Sequence, residues 1–354
     1  MLIEKKQLID TLNLVLPGIA KTTKTNYTEQ YDSFIFYDNK IISFNDTIAV
    51  FLPFIADFNG AVIAKEFYDL IKSLRMNKID ISMTEKDILI KTKNSKSSIS
   101  LFSDITLPFD KIPDPDEYYD LPDNFLNGLE ICYNTVSKDV SEELASYILV
   151  QDNHIIATDC YRIIDYKLNN NLPKFFIPFK LSKLLKQYNP VQVSFIRGWL
   201  LFRNENDVVI ASRTISDKEE FMITVNEKDI INDSQLSLEA LFDFNGIKFI
   251  FPNEFIKAVM SCRTLTKSCG EDELVKIYLK DNMLNIEGYS ENKSKHHERF
   301  KIEDNNDKFS FMITPSILIE ALKLNAEFII NENALKIQTN DYRQYIPTIN
   351  EKKY

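Results

Sequence analysis

Glycine is nearly absent from this chain: seven occur in 354 residues, and no two stand in GxG or GxxxxGK spacing. A backbone cradle for phosphate needs glycine for close approach, so a Walker loop and a dinucleotide-binding turn are excluded. Histidine is as scarce, with His154 alone and His296-His297 as a pair in a charged segment. The four cysteines, Cys132, Cys160, Cys262 and Cys269, form no CxxC, and no His/Cys/carboxylate spacing suits zinc or a di-iron pair. No cofactor or metal is expected, and the cysteines read as free buried thiols of a reducing compartment. No run of 18 apolar residues occurs, and Met1-Leu2-Ile3-Glu4 opens no signal-peptide pattern. The expectation is a soluble, cytoplasmic protein with no membrane partner.

What the chain does have is repetition. Segments 34–51 (FIFYDNKIISFNDTIAVF), 148–166 (ILVQDNHIIATDCYRIIDY) and 277–295 (IYLKDNMLNIEGYSENKSK) share one plan. Each is an alternating apolar run, an Asp-Asn turn and a second alternating run. The turns are expected at Asp38-Asn39, Asp152-Asn153 and Asp281-Asn282. A second motif starts at Ala64, Pro178 and Pro315: an amphipathic helix, a break, then two alternating strands. Self-similarity at a domain-sized period implies copied domains. A chain built this way is usually a scaffold whose product is geometry.

Three domains are therefore expected, over residues 1–116, 117–228 and 229–354. The breaker Ile112-Pro113-Asp114-Pro115 lies at the first boundary. The third domain begins with a polar span, 229–245, read as a linker or insertion with room for a short helix. Each domain reads as two half-units of strand, helix and further strands. Helices are expected near 6–16, 65–74, 123–136, 180–188, 253–266 and 316–324. The strands alternate in polarity, as in Ile79–Met83, and so read as antiparallel and covered on one face. Helices segregated to one side of antiparallel sheets make the fold class α+β.

The net charge of −10 is unevenly spread. Six windows holding the helices and their flanks sum to +8, which leaves −18 elsewhere. On the helix at 180–188, Lys180, Lys183 and Lys186 fall within an arc of about 120° opposite Leu181, Leu185 and Tyr188. Lys65, Lys72 and Arg75 likewise stand apart from Phe67, Ile71 and Leu74, and Lys72, Lys186 and Lys323 occupy matching positions in the three copies. With Lys21, Lys24, Lys257, Arg263 and Lys267, these form a candidate lining for a phosphate backbone, a contact that carries no base information. No helix-turn-helix, zinc finger or RNA-stacking signature accompanies them.

These residues also resemble a known family, the DNA polymerase III β subunits or bacterial sliding clamps. The run Ala157-Thr158-Asp159-Cys160-Tyr161-Arg162-Ile163 resembles that family's A-T-D-G-H-R-L segment. Ile177-Pro178-Phe179-Lys180 resembles its V-P-R-K, and Tyr345-Ile346-Pro347-Thr348 its V-M-P-M. The resemblance implies three tandem clamp domains per chain, with sheets outside and helices inside. It implies a head-to-tail homodimer that closes into a ring around duplex DNA. Such a ring tethers a DNA polymerase catalytic subunit, is placed by a clamp loader, and has no catalytic site of its own. It also implies a partner-peptide pocket including Thr158, Tyr161, Arg162, Ile163, Ile346 and Pro347, with Ile163 and Ile346 as an apolar floor. Ring closure would pair edge strands, with 93–102 as one edge and a strand of the third domain as the other. Lys91, Lys93 and Lys96 could then face acids such as Glu291 or Glu298.

Two other classes fit less of the sequence. A repeat-built interaction scaffold would share the fold without holding DNA. A nucleic-acid-processing enzyme could use Asp159 and Asp165, which share a strand face, as acid and base.

Overall fold

A computed structural model describes residues 1–21, 29–139, 145–215, 223–225, 228–232, 235–236, 238–303, 307–324 and 326–349. Among these residues the chain forms α1 (Lys5–Val15), α2 (Ala64–Ser73), α3 (Phe125–Tyr133), α4 (Phe179–Tyr188), α5 (Leu238–Phe242), α6 (Phe255–Thr266) and α7 (Pro315–Leu322). The six longer helices fall where the apolar spacing places them, and α5 lies in the polar span. In α2, Ala64, Phe67 and Ile71 are buried at one-face spacing, with Glu66 in the first turn and Lys72 in the last. Both charges oppose the helix dipole favourably. In α4 the buried stripe is Leu181, Leu185 and Tyr188. The helix stops at Asn189, left-handed at φ 46°, whose N–H donates to the Leu185 carbonyl at 3.0 Å. Pro315 starts α7, where a missing N–H costs nothing.

The chain divides into two compact units, residues 1–126 with 172–218, and 127–171 with 219–354. The first holds two antiparallel sheets. One runs Leu2–Glu4, Lys78–Met83, Asp87–Lys91, Lys96–Ser100. The other has eight strands, in the order Gly60–Ile63, Ser33–Tyr37, Lys40–Phe44, Ile48–Pro53, Val209–Arg213, Trp199–Arg203, Gln192–Ile196, Tyr119–Asp120. At its middle, Ala49 pairs with Ala211 and Val50 with Ile210, which joins strands of the first and second repeats in one sheet. Trp199 and Phe44 pack at 5.8 Å between ring centroids in the apolar layer beneath. The buried Tyr188 hydroxyl of α4 donates to the Leu14 carbonyl of α1, which ties the two helices together.

The second unit holds a four-stranded sheet, Lys295–Lys301, Met283–Tyr289, Val275–Lys280, Phe309–Ile313. Its six-stranded sheet runs Tyr147–Thr158, Ile163–Pro178, Tyr342–Pro347, Ala334–Gln338, Phe328–Ile330, Ile247–Phe249. One core joins Phe255, Val259 and Cys262 of α6, Leu318 of α7, and Ile277, Ile286, Phe311 and Ile346 of the strands. Gly288 lets α6 approach closely, since a Cβ there would stand 2.8 Å from that of Cys262. Each of α2, α4 and α7 is followed by two strands, as the second repeated motif requires.

Two of the three Asp-Asn turns are hairpin turns. Asp38 and Asn39 (φ 48° and 55°) and Asp281 and Asn282 (φ 51° and 59°) are both left-handed, as a type I′ turn requires. The third expectation fails. Asp152 is left-handed (φ 53°), Asn153 is not, and the strand Tyr147–Thr158 runs through both. One left-handed residue bends a strand without reversing it. The reversal comes at residues 159–162, where Cys160 is left-handed (φ 68°).

Candidate nucleic-acid interface and peptide site

Most of the expected lining cations stand on helices, facing away from the buried stripe. Lys65, Lys72, Arg75, Lys180, Lys183, Lys186, Lys257, Lys267 and Lys323 are exposed, as is Lys21 ahead of the first sheet. Lys24 lies outside the described residues. Lys65 is held by Asp69 at 2.7 Å, and that hydrogen bond raises its pKa. Arg263 differs from the expectation: it is half-buried, and its Nε donates to Glu273 at 3.3 Å, so its charge is partly spent inside the fold. Lys72 and Lys186 occupy the last turns of α2 and α4, and Lys323 follows the last residue of α7. Their Nζ atoms therefore sit beside helix C-termini in three repeats.

The segments expected to make a peptide site adjoin in the second unit, since Ile163 pairs with Tyr345, the residue before Ile346. The turn between them is tightly bonded. The buried Thr158 hydroxyl donates to the Arg162 carbonyl at 2.7 Å and accepts from the Cys160 N–H at 3.1 Å. Asp159 Oδ1 accepts the N–H groups of Tyr161 and Arg162 at 3.2 and 3.0 Å. The Arg162 guanidinium is 6% exposed and serves three acceptors: Asp159 (2.9 Å), the Asn134 carbonyl (3.0 Å) and Glu320 of α7 (2.5 Å).

The apolar floor is not as expected. Ile163 and Ile346 are both completely buried, because each points into the covered face of its sheet. What projects from the turn is Tyr161, 67% exposed, with Pro347 half-buried nearby in sequence to Ile346. The carboxylates considered for acid–base work are both engaged. Asp159 holds Arg162, and Asp165, 4% exposed, lies between His154 Nδ1 (2.7 Å) and Arg343 Nε (2.8 Å). That three-residue network is invisible in the sequence, where its members lie far apart. Lys336 is also unexpected. It is buried, with Nζ donating to the carbonyls of Phe242 (2.8 Å) and Phe244 (3.1 Å), and it pins the end of α5 to the sheet.

The expected edges are edges. Lys96–Ser100 ends one four-stranded sheet and Lys295–Lys301 ends the other. The expectation that strands carry the acidic charge does not hold for Lys295–Lys301, where Lys295, Arg299 and Lys301 accompany Glu298. Among the described residues, no cluster of His, Cys, Asp and Glu could hold a metal ion, and no helix is long and apolar enough to cross a membrane.

No protein-family model matches the chain, and no curated protein matches it in sequence. Solved structures do match it. The β subunit of DNA polymerase from Streptococcus pyogenes is 17% identical, with 99% of each chain covered and a TM-score of 0.76. The sliding clamp of Pseudomonas aeruginosa bound to griselimycin is 15% identical over 99% of this chain and 98% of that one, at a TM-score of 0.78. The Helicobacter pylori β clamp bound to a DNA ligase peptide is 15% identical, with 99% of each covered and a TM-score of 0.75. The chain has the α+β fold of the DNA polymerase III β sliding clamps.

Proposed function

We propose that this protein is a DNA sliding clamp, a non-catalytic ring that encircles duplex DNA and tethers a DNA polymerase and other partners. The observation that carries the reading is the placement of Lys72, Lys186 and Lys323, exposed at the ends of equivalent helices in an acidic chain. With a Debye length of about 8 Å at physiological salt, such a lining acts despite distant acids. The likeness to solved clamps along the whole chain supports the same reading, as does the three-fold sequence repeat, read as domains 1–116, 117–228 and 229–354.

In this reading two copies associate head to tail in the cytoplasm, the edge Lys96–Ser100 of one pairing with Lys295–Lys301 of the next. Closure of a heterologous contact gives a ring and removes both exposed edges. Partner peptides, of which the ligase peptide on the H. pylori clamp is an example, dock at the 158–163 turn and residues 346–347. Tyr161 supplies the exposed aromatic anchor, and a clamp loader opens the ring.

The test is topological. The protein is threaded onto a long linear duplex fixed to a bead at one end, and the free end is then capped. A clamp survives a low-salt wash, and a restriction cut then releases it. Protein that stays bound after the cut is held by contacts alone, and protein that never survives the wash is not a clamp.

A further inference from the structure

The four-stranded sheet of the second unit has two faces of opposite chemistry. Its inner face packs on α6, through Val275, Ile277 and Leu279 of one strand and the Gly288–Cys262 approach of the next. Its outer face is basic. Lys276, Tyr278 and Lys280 alternate with those buried residues and point outward. The register sets Lys280 opposite Met283, and Met283 opposite Lys301, so both lysines lie in one row across three strands. At a strand spacing of about 4.8 Å, their Cα atoms stand about 10 Å apart. Arg299 is two residues from Lys301 on the same face, and Lys308 precedes the strand on the other side of Lys280. Lys280, Arg299, Lys301 and Lys308 are all exposed, and no ion pair engages them among the described residues. The nearby acids Asp281, Glu303 and Asp307 belong to the connecting loops.

This face also contains a cavity of about 400 Å³ between the strands Val275–Lys280 and Phe309–Ile313. Lys276, Lys280 and Lys308 surround it, Tyr278 and Phe309 give it aromatic walls, and Ser310 adds a hydroxyl. The Tyr278 ring is fixed, its hydroxyl donating to Glu287 at 3.0 Å and its face lying 5.3 Å from the Lys276 ammonium.

We propose that this outer face is a second nucleic-acid site, one that takes single-stranded DNA with a base in the Tyr278–Phe309 cavity and phosphates on Lys280, Lys308, Lys301 and Arg299. Charge complementarity requires a polyanion. The aromatic walls between the lysines favour unpaired bases, which offer π-faces that a duplex keeps stacked and an acidic peptide lacks. The site lies on the sheet face opposite α6, so it is separate from the helix lysines.

The experiment is fluorescence anisotropy of a labelled short oligothymidylate with the full chain across a salt series. Four phosphate contacts on a single strand give a log–log slope of about −3, or a loss of roughly 50-fold in affinity between 50 and 200 mM salt. The pair Lys280→Glu and Lys308→Glu should weaken binding at least tenfold (about two opposed charges), while the helix set Lys72→Glu, Lys183→Glu and Lys186→Glu leaves it unchanged. Should the glutamate pair fail to fold, judged by circular dichroism, Lys280→Ala with Lys308→Ala decides, with a smaller loss that arginine at both positions restores. No binding by the wild type, equal binding by the variants, or equal competition by polyglutamate or by duplex DNA would each overturn the proposal. None of these results depends on whether the protein also threads onto duplex.

Discussion

Arg162 Nη2 and Glu320 Oε2 meet at 2.5 Å, joining the turn at residues 159–162 to α7. The pair is unequal, because the arginine side chain is 6% exposed and the glutamate 40%. Arg162→Ala leaves Asp159 and the Asn134 carbonyl without their donor, and breaking such a buried pair costs about 3 kcal/mol. Glu320→Ala leaves Arg162 its other two acceptors and should cost about 1 kcal/mol, near the range of exposed pairs. Urea unfolding of both variants and of the double variant checks this, and equal costs for the two single changes would contradict the inequality.

The helix lysines give a second prediction. Reversal of Lys72, Lys183 and Lys186 to glutamate should reduce retention on duplex DNA, because all three are exposed on α2 and α4. For every phosphate that a lysine no longer neutralises, the log–log salt slope should flatten by about 0.9. The melting temperature should barely move, since the changes touch no buried group. Unaltered retention in the threading experiment would remove these lysines from the lining.

Glu287 gives a prediction about pH. Burial pushes its carboxyl up, but hydrogen bonds from Tyr289 (2.7 Å), Lys295 (3.1 Å) and Tyr278 (3.0 Å) outweigh this and hold it below the usual carboxylate range. A carboxylate depressed in the folded state stabilises it above the ordinary unfolded value of about 4.3. That contribution is lost as pH falls through the lower folded value. Glu287→Gln should therefore lower the melting temperature at neutral pH and shrink the difference from wild type below pH 4 (about one unit around the unfolded value). A constant difference across this range would deny the carboxylate its role.

Gly288 tests how closely α6 lies on its sheet. The Cβ of Gly288→Ala would stand 2.8 Å from Cys262 Cβ, with the Cys262 backbone at 3.1 Å behind it. Neither is the far end of a flexible chain, so helix or strand must shift, at a cost of about 1–3 kcal/mol. Thermal unfolding of Gly288→Ala measures it, and a neutral result would mean that α6 is free to move.

The fold was legible wherever local pattern decides it. The spacing of Phe67 and Ile71, and of Leu181 and Leu185, marks one helix face each, and two left-handed residues in succession make the hairpins at Asp38 and Asp281. Asp152-Asn153 carries the same two letters, yet the ladder on either side keeps the strand running. The alternation that assigned Ile163 and Ile346 to a strand says which face they share, but not whether that face is covered. Here it is, which removed the expected apolar floor. The His154–Asp165–Arg343 network and the buried Lys336 join residues from distant segments, and charge summed along the chain cannot find them. The basic outer face was missed for a related reason. Its cations alternate with core residues on three strands and gather only once the register is known.

Cysteine reactivity gives a way to watch the candidate peptide site. Burial pushes the Cys132 thiol well above its ordinary range and that of Cys262 up to about 12, so neither offers a thiolate or access at neutral pH. Cys160 is exposed, at the tip of the 159–162 turn and beside Tyr161. A thiol reagent should modify Cys160 first in the native protein, and reach Cys132 and Cys262 only on unfolding. A polymerase- or ligase-derived peptide seated on this turn should slow Cys160 modification, and Tyr161→Ala should restore the rate by removing the anchor. Tyr161→Phe keeps the ring and should retain most of the protection. Peptide binding that leaves the Cys160 rate unchanged would place the peptide elsewhere, and protection that survives Tyr161→Ala would remove Tyr161 from the contact.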